Sequence, residues 1–144
     1  MAEAILNRRG KPNFRAYSAG SLPTGSVRVE ALKLIQEARL PVNGLRSKSW
    51  DEFAKPGAPK LDFVFTVCDK ASQEVCPVWP GQPMTAHWGI PDPAAVNGSR
   101  DAVEKAFREA FMTLDRRIGL FLCLPLASLG TLAIKKNIDD IGKR

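Results

Sequence analysis

Leu61-Asp62-Phe63-Val64-Phe65-Thr66-Val67 is the stretch on which the fold turns, a β-branched and aromatic run that ends at Cys68-Asp69. Such a composition suits a strand buried on both faces, as in the parallel sheets of α/β proteins. In open parallel sheets ligands bind outside the carboxyl ends of the strands, so this run delivers Cys68 to an edge where chemistry is expected. On its amino side lie a Pro/Gly loop, Lys55 to Lys60, and a short helix around Trp50 to Ala54 that Ser49 can cap.

Outward from this strand the pattern alternates. Met1 to Arg9 has helical spacing, with Ala4 and Ile5 on one side and Glu3, Asn7 and Arg8 on the other, and Gly10 stands as its C′ stop. Phe14 to Tyr17 reads as a short strand closed by the Ser18-Ala19-Gly20 turn. Val27, Ala31, Leu34, Ile35 and Ala38 follow one helical face, with Ser26 placed to cap it. From Asp69 to Gly98 the chain is irregular apart from a brief strand around Met84 to His87. Loops this long in a compact domain are usually functional or disordered, and Trp79 and Trp88 argue against disorder. Ser99 then caps the clearest helix, whose stripe holds Val103, Ala106, Phe107, Ala110, Phe111, Leu114, Ile118, Phe121 and Leu122 before Pro125 breaks it. Leu126, Leu129, Leu132, Ala133 and Ile138 mark a last amphipathic stretch. This order defines one α/β domain over residues 1–144, with no strand ahead of its first helix.

The 144 residues are 44% hydrophobic and 25% charged, the balance of one ordinary globular domain. Three cysteines, Cys68, Cys76 and Cys123, are too few for a secreted disulfide scaffold and point to a reducing, cytoplasmic setting. The longest apolar run, Ile118 to Leu124, is far below the ~20 residues of a membrane span, and Met1 to Gly10 lacks the features of a secretory signal. The net charge of +6 is uneven: eleven Lys or Arg against five acids in residues 1–60, one against four in 61–99, and nine against six in 100–144. No basic run exceeds two residues and no recognition signature accompanies them, which argues against nucleic acid as a partner. The same field would favour a small anionic substrate.

Cys68 and Cys76 are separated by seven residues, a span across which a mobile loop could bring the sulfurs into a reversible disulfide. Equally, Cys68 can be the small apolar end of a buried strand and Cys76 an incidental loop thiol. A zinc site of Cys68, Cys76 and His87 has three ligands and no C-x-x-C pair, which makes it the weakest reading. Cys123, beside the apolar stripe of the long helix, reads as structural. In His87-Trp88-Gly89-Ile90-Pro91-Asp92-Pro93, Asp92 stands between two prolines on a rigidified loop, which suits a general acid or base. An Asp before Pro is also a common turn former, and His87 can be a packed or hydrogen-bonded loop residue.

Taken together, Val67-Cys68-Asp69, Glu74-Val75-Cys76-Pro77-Val78-Trp79-Pro80-Gly81 and His87-Trp88-Gly89 with Asp92-Pro93 form one arrangement. With Met1-Ala2-Glu3-Ala4, Tyr17-Ser18-Ala19-Gly20 and Leu124-Pro125, the sequence resembles, over nearly its whole length, the arsenate reductases built on the low-molecular-weight protein tyrosine phosphatase fold. The resemblance implies a three-layer α/β sandwich with a central parallel sheet, no cofactor, and a three-thiol relay. In that relay a cysteine in a C-x-x-x-x-x-R loop attacks arsenate. A second thiol, matched by Cys68, attacks that sulfur and releases arsenite. A third, matched by Cys76, attacks Cys68 and leaves a disulfide for thioredoxin or a similar thiol reductant. Asp92 matches the acid that assists proton transfer around the oxyanion. Each step is thiolate attack on an electrophilic centre.

The pattern departs from the family at one point. Six residues on from Cys68, Cys76 and Cys123 stand Glu74, Gln82 and Leu129, so no C-x-x-x-x-x-R loop occurs. In the family the residues resembling Met1-Ala2-Glu3 follow that loop directly. The sequence is therefore expected to be N-terminally incomplete, without the first, central strand of the sheet, and inactive toward arsenate as it stands. Strand edges exposed along such a gap invite self-association. The alternative activity is that of a low-molecular-weight protein tyrosine phosphatase, which gives Cys68 and Cys76 no role. A non-catalytic remnant or dithiol-switch binding module is the other alternative.

Overall fold

The computed structural model of the chain describes residues 1–68 and 77–144. Among the described residues the regular elements are four helices, α1 (Ala2–Arg9), α2 (Val29–Glu37), α3 (Arg100–Leu122) and α4 (Thr131–Gly142), and two strands, β1 (Phe63–Thr66) and β2 (Met84–His87). Short 3-10 turns lie at Trp50–Phe53 and Pro93–Ala95.

β1 and β2 pair in parallel, Phe63 opposite Met84 and Thr66 opposite His87. The ladder outruns both strands: Met84 N–H donates to the Asp62 carbonyl, Trp88 N–H to Thr66 (2.7 Å) and Ile90 N–H to Val67 (2.9 Å). The β1 residues are all half-buried, not buried on both faces as their composition suggests. The reason is that β2 is the one strand paired with β1 among the described residues. A separate parallel bridge joins Gly20 and Ser49.

Phe14 to Tyr17 is not a strand. The Asn7 side chain of α1 occupies the place of a strand partner, its amide donating to the Ala16 carbonyl (2.9 Å) and its Oδ1 accepting the Ala16 N–H (2.8 Å). Both backbone groups of Ala16 are thereby satisfied without a ladder. Gly10 does follow α1, but at φ −86° rather than in the left-handed region. Its need for glycine is spatial: a Cβ there would stand 2.8 Å from the Leu6 carbonyl oxygen and 2.9 Å from Phe14 Cβ.

Ser26 does not cap α2, which starts later, behind Arg28. The Thr24 hydroxyl donates to the Ser26 carbonyl and the Gly25 N–H donates to Ser47 Oγ, both at 3.1 Å, so residues 24–26 are tied into neighbouring loop structure. Ser49 and Ser99 do cap, accepting the Asp51 and Ala102 N–H groups at 3.2 Å.

α3 is the spine. Its buried face is Phe107, Ala110, Leu114, Arg117, Ile118 and Phe121. Leu114, Ile118 and Phe121 join Ile5, Ala86, Trp88, Ile138 and Ile141 in the main core, while Phe107 joins Ala31 and Leu34 in a second cluster. Phe121 is met edge-on by Phe14, Phe63 and Phe65 at 5.2–5.3 Å between ring centroids, the arrangement that aromatic quadrupoles favour. No helix among the described residues is long and apolar enough to cross a membrane.

Candidate functional site at the carboxyl ends of the strands

Thr66 and His87 close β1 and β2, and their side chains meet, Thr66 Oγ1 lying 2.8 Å from His87 Nδ1. Parallel pairing sends both chain segments out over the same sheet edge. Cys68, two residues beyond Thr66, is half-buried. The bond from Ile90 N–H to the Val67 carbonyl starts Cys68 alongside the segment that leads to Asp92.

Asp92 is exposed, and its Oδ1 accepts the Ala94 N–H at 2.9 Å, capping the Pro93–Ala95 turn. The turn-forming role open to an Asp-Pro pair is thus filled, with the carboxylate still at the surface. Cys76 lies outside the described residues, and with it the Cys68–Cys76 pairing and the three-ligand zinc set. Among the described residues no group of three His, Cys, Asp or Glu side chains could hold a metal ion. Cys123 is exposed at the C-cap of α3, so it is not a packed structural residue. The buried stripe ends at Phe121, and position 123 turns outward.

Arg28, at the N-terminus of α2, adds a positive group to this side of the molecule. It pairs with Glu30 at 3.1 and 3.0 Å, and its guanidinium carbon lies 5.7 Å from the Phe107 ring centroid. The hydrogen bond to Glu30 holds the Arg28 pKa above its ordinary value, with a smaller contribution from Asp92, and the same bond holds the Glu30 carboxyl below its own.

One residue beside the site goes unmarked in the sequence motifs. Arg117 is 7% exposed, and its Nη1 donates to the carbonyls of Trp88 (2.7 Å) and Gly89 (3.2 Å). Burial pushes its pKa below the usual arginine range, the like charge of Arg116 being the lesser cause. The legible signal is its place in an apolar stripe, three residues after Leu114 and four before Phe121, where charged side chains are rare. A cleft of about 520 Å³ opens elsewhere, between α1 and the segments 11–15 and 41–45, and neither Cys68 nor Asp92 lines it.

A parallel α/β sheet with a thiol and a carboxylate at its carboxyl edge defines the class, and relatives sharpen it. The sequence signature of the low molecular weight phosphotyrosine protein phosphatase family matches residues 1–136, and the chain belongs to that family. Proteins named arsenate reductase from Halalkalibacterium halodurans and Oceanobacillus iheyensis are each 30% identical to it over 121 residues, 84% of either chain. One of the same name from Bacillus subtilis strain 168 is 28% identical over 121 residues.

Proposed function

We propose that residues 1–144 form a single domain of the arsenate reductase type, acting in the cytoplasm, in which Cys68 and Cys76 are the last two thiols of a relay reducing arsenate to arsenite. The observation that carries this reading is the convergence at one sheet edge: β1 leads to Cys68, and the Val67–Ile90 hydrogen bond (2.9 Å) sets the segment bearing Asp92 beside it. The name shared by the relatives supports it independently.

In the relay a first thiolate bonds to arsenic, displacing an oxygen of arsenate as water. The Cys68 thiolate then attacks that sulfur, the sulfur–arsenic bond breaks, and its electron pair leaves with arsenic as arsenite. The Cys76 thiolate next attacks the Cys68 sulfur and releases the first thiolate. A dithiol of the thioredoxin class supplies two electrons to reopen the Cys68–Cys76 disulfide. Asp92 carries the proton at the oxyanion, and Arg28 with the basic surface favours approach of an anion. No cysteine of the chain has an arginine six residues on, so the step that captures arsenate has no residues here and these 144 residues alone do not turn arsenate over.

The test uses the reduced chain with arsenate, thioredoxin, its reductase and NADPH, for which no arsenate-dependent NADPH oxidation is expected. After diamide, which takes two electrons and two protons from two thiols, peptide mapping should find Cys68 joined to Cys76, and thioredoxin should reopen the bond. Absence of the pair would sink the relay, and enzyme-like arsenate turnover would sink the missing capture step. The family signature favours a second reading, a phosphotyrosine phosphatase, which assigns the two thiols nothing and is what stands if they do not pair. Self-association through the edge of β1 that faces away from β2 belongs to the proposal. Sedimentation should show a concentration-dependent dimer, and a monomer at every concentration would rule it out.

A further inference from the structure

Two helices grip the turn that leads from β2 to Asp92. From α3, one nitrogen of Arg117 bridges the successive carbonyls of Trp88 (2.7 Å) and Gly89 (3.2 Å). From α4, the Ile138 carbonyl accepts the Trp88 indole N–H at 2.8 Å. Gly142 packs so closely that a Cβ there would stand 2.3 Å from the His87 carbonyl oxygen. Two neighbouring carbonyl dipoles turned toward one point repel each other, and a cation between them offsets that repulsion. Burying the guanidinium carries a desolvation cost, and its partners are carbonyls rather than a carboxylate. An apolar side chain of similar length would fill the stripe without that cost. The distinct contribution of arginine is the direction it imposes on the turn.

We infer that Arg117 is a positioning residue: by fixing the carbonyls of Trp88 and Gly89 it sets where Asp92 stands relative to Cys68. The inference rests on the proposed pairing of Cys68 and Asp92 in one site. The route is short. Asp92 stands three residues after Gly89, the intervening Ile90 N–H is tied to Val67, and Pro91 and Pro93 hold φ on either side.

The full chain carrying Arg117→Met or Arg117→Lys is compared with Leu34→Ala, which opens a hole in the separate cluster of Ala31, Leu34 and Phe107. In Arg117→Met, amide hydrogen exchange at Trp88 and Ile90 should speed about tenfold relative to amides of α2, with the Ala94 amide resonance displaced. Arg117→Lys should restore part of both effects, and Leu34→Ala should give the reverse pattern. Equal acceleration in both regions of Arg117→Met would overturn the inference and leave Arg117 a general stabiliser. A second arm follows alkylation of Cys68 by iodoacetamide through peptide mapping. On the proposed pairing, Asp92→Asn removes the carboxylate that shares the site with the thiol and should accelerate it, and adding Arg117→Met to Asp92→Asn should change nothing more. An unchanged rate in Asp92→Asn would overturn the pairing of Cys68 with Asp92, while the exchange pattern still decides on Arg117. Additive effects would overturn action through Asp92.

Discussion

With Trp88 replaced by alanine, the chain loses about 3–5 kcal/mol of unfolding free energy. The indole is 2% exposed, lies 4.1 Å from the Phe65 ring and 6.2 Å from that of Phe121, and donates to the Ile138 carbonyl. Its removal therefore leaves a cavity where β1, α3 and α4 meet, and breaks the bond that ties the turn after β2 to α4. Domains of this size are stable by only about 5–15 kcal/mol, so the variant sits near the limit of folding. Trp88→Phe separates the two contributions, because it keeps a ring in the core and drops the indole N–H, and should cost only about 1 kcal/mol plus a small packing term. Urea unfolding reads both as shifts of midpoint at unchanged slope. Equal midpoints for the two variants would mean that the ring does not fill the core as described.

The second large effect lies in the first turn of α1. Glu3 and Lys48 have side chains 12% and 5% exposed, with Lys48 Nζ 3.6 Å from Glu3 Oε2 and the Ser18 hydroxyl donating to that same oxygen. The backbone of Lys48 belongs to the same junction: its carbonyl accepts the Gly20 N–H, and the Gly20 carbonyl accepts the Trp50 N–H. Removing one member of a buried pair strands the other. Glu3→Ala leaves the ammonium with the Arg46 carbonyl at 3.4 Å and should cost about 3–5 kcal/mol. Lys48→Met should cost less, since Glu3 keeps the Ser18 hydroxyl. The double variant should be more stable than the two single losses sum to, by about 0.5–3 kcal/mol. Strict additivity in a double-mutant cycle would show that the two side chains do not depend on each other.

Much of the scaffold was legible because it rests on local pattern. Met84 to His87, the caps at Ser49 and Ser99, and the stripe of α3 all follow from periodicity and side-chain oxygens within a few residues. Two of the failures share a cause, which is that side chains from other parts of the chain take over a backbone group. Phe14 to Tyr17 has strand composition, yet Asn7 engages Ala16. Ser26 has a capping side chain, yet its segment is tied to Thr24 and Ser47. Around the candidate site, the strand that leads to Cys68 was readable from the composition of residues 61–67, and the turn at Asp92 from its flanking prolines. The apolar stripe marks Arg117 as buried, but not what it holds, because its partners are carbonyls 28 and 29 residues away, which leave no mark on residue type.

α3 runs through two cores of unequal size, eight buried residues around Trp88 and Phe121 against three around Phe107 among the described residues. The smaller cluster joins α2 to α3, with Ile35 of α2 fully buried besides. On the proposed function the site would have two jaws, Asp92 following the turn held by the larger core and Arg28 capping α2. An anion spanning both would hold the two in register, and whatever motion of α2 it stills lowers its affinity. A stiffer α2 would bind more tightly with no new contact to the anion.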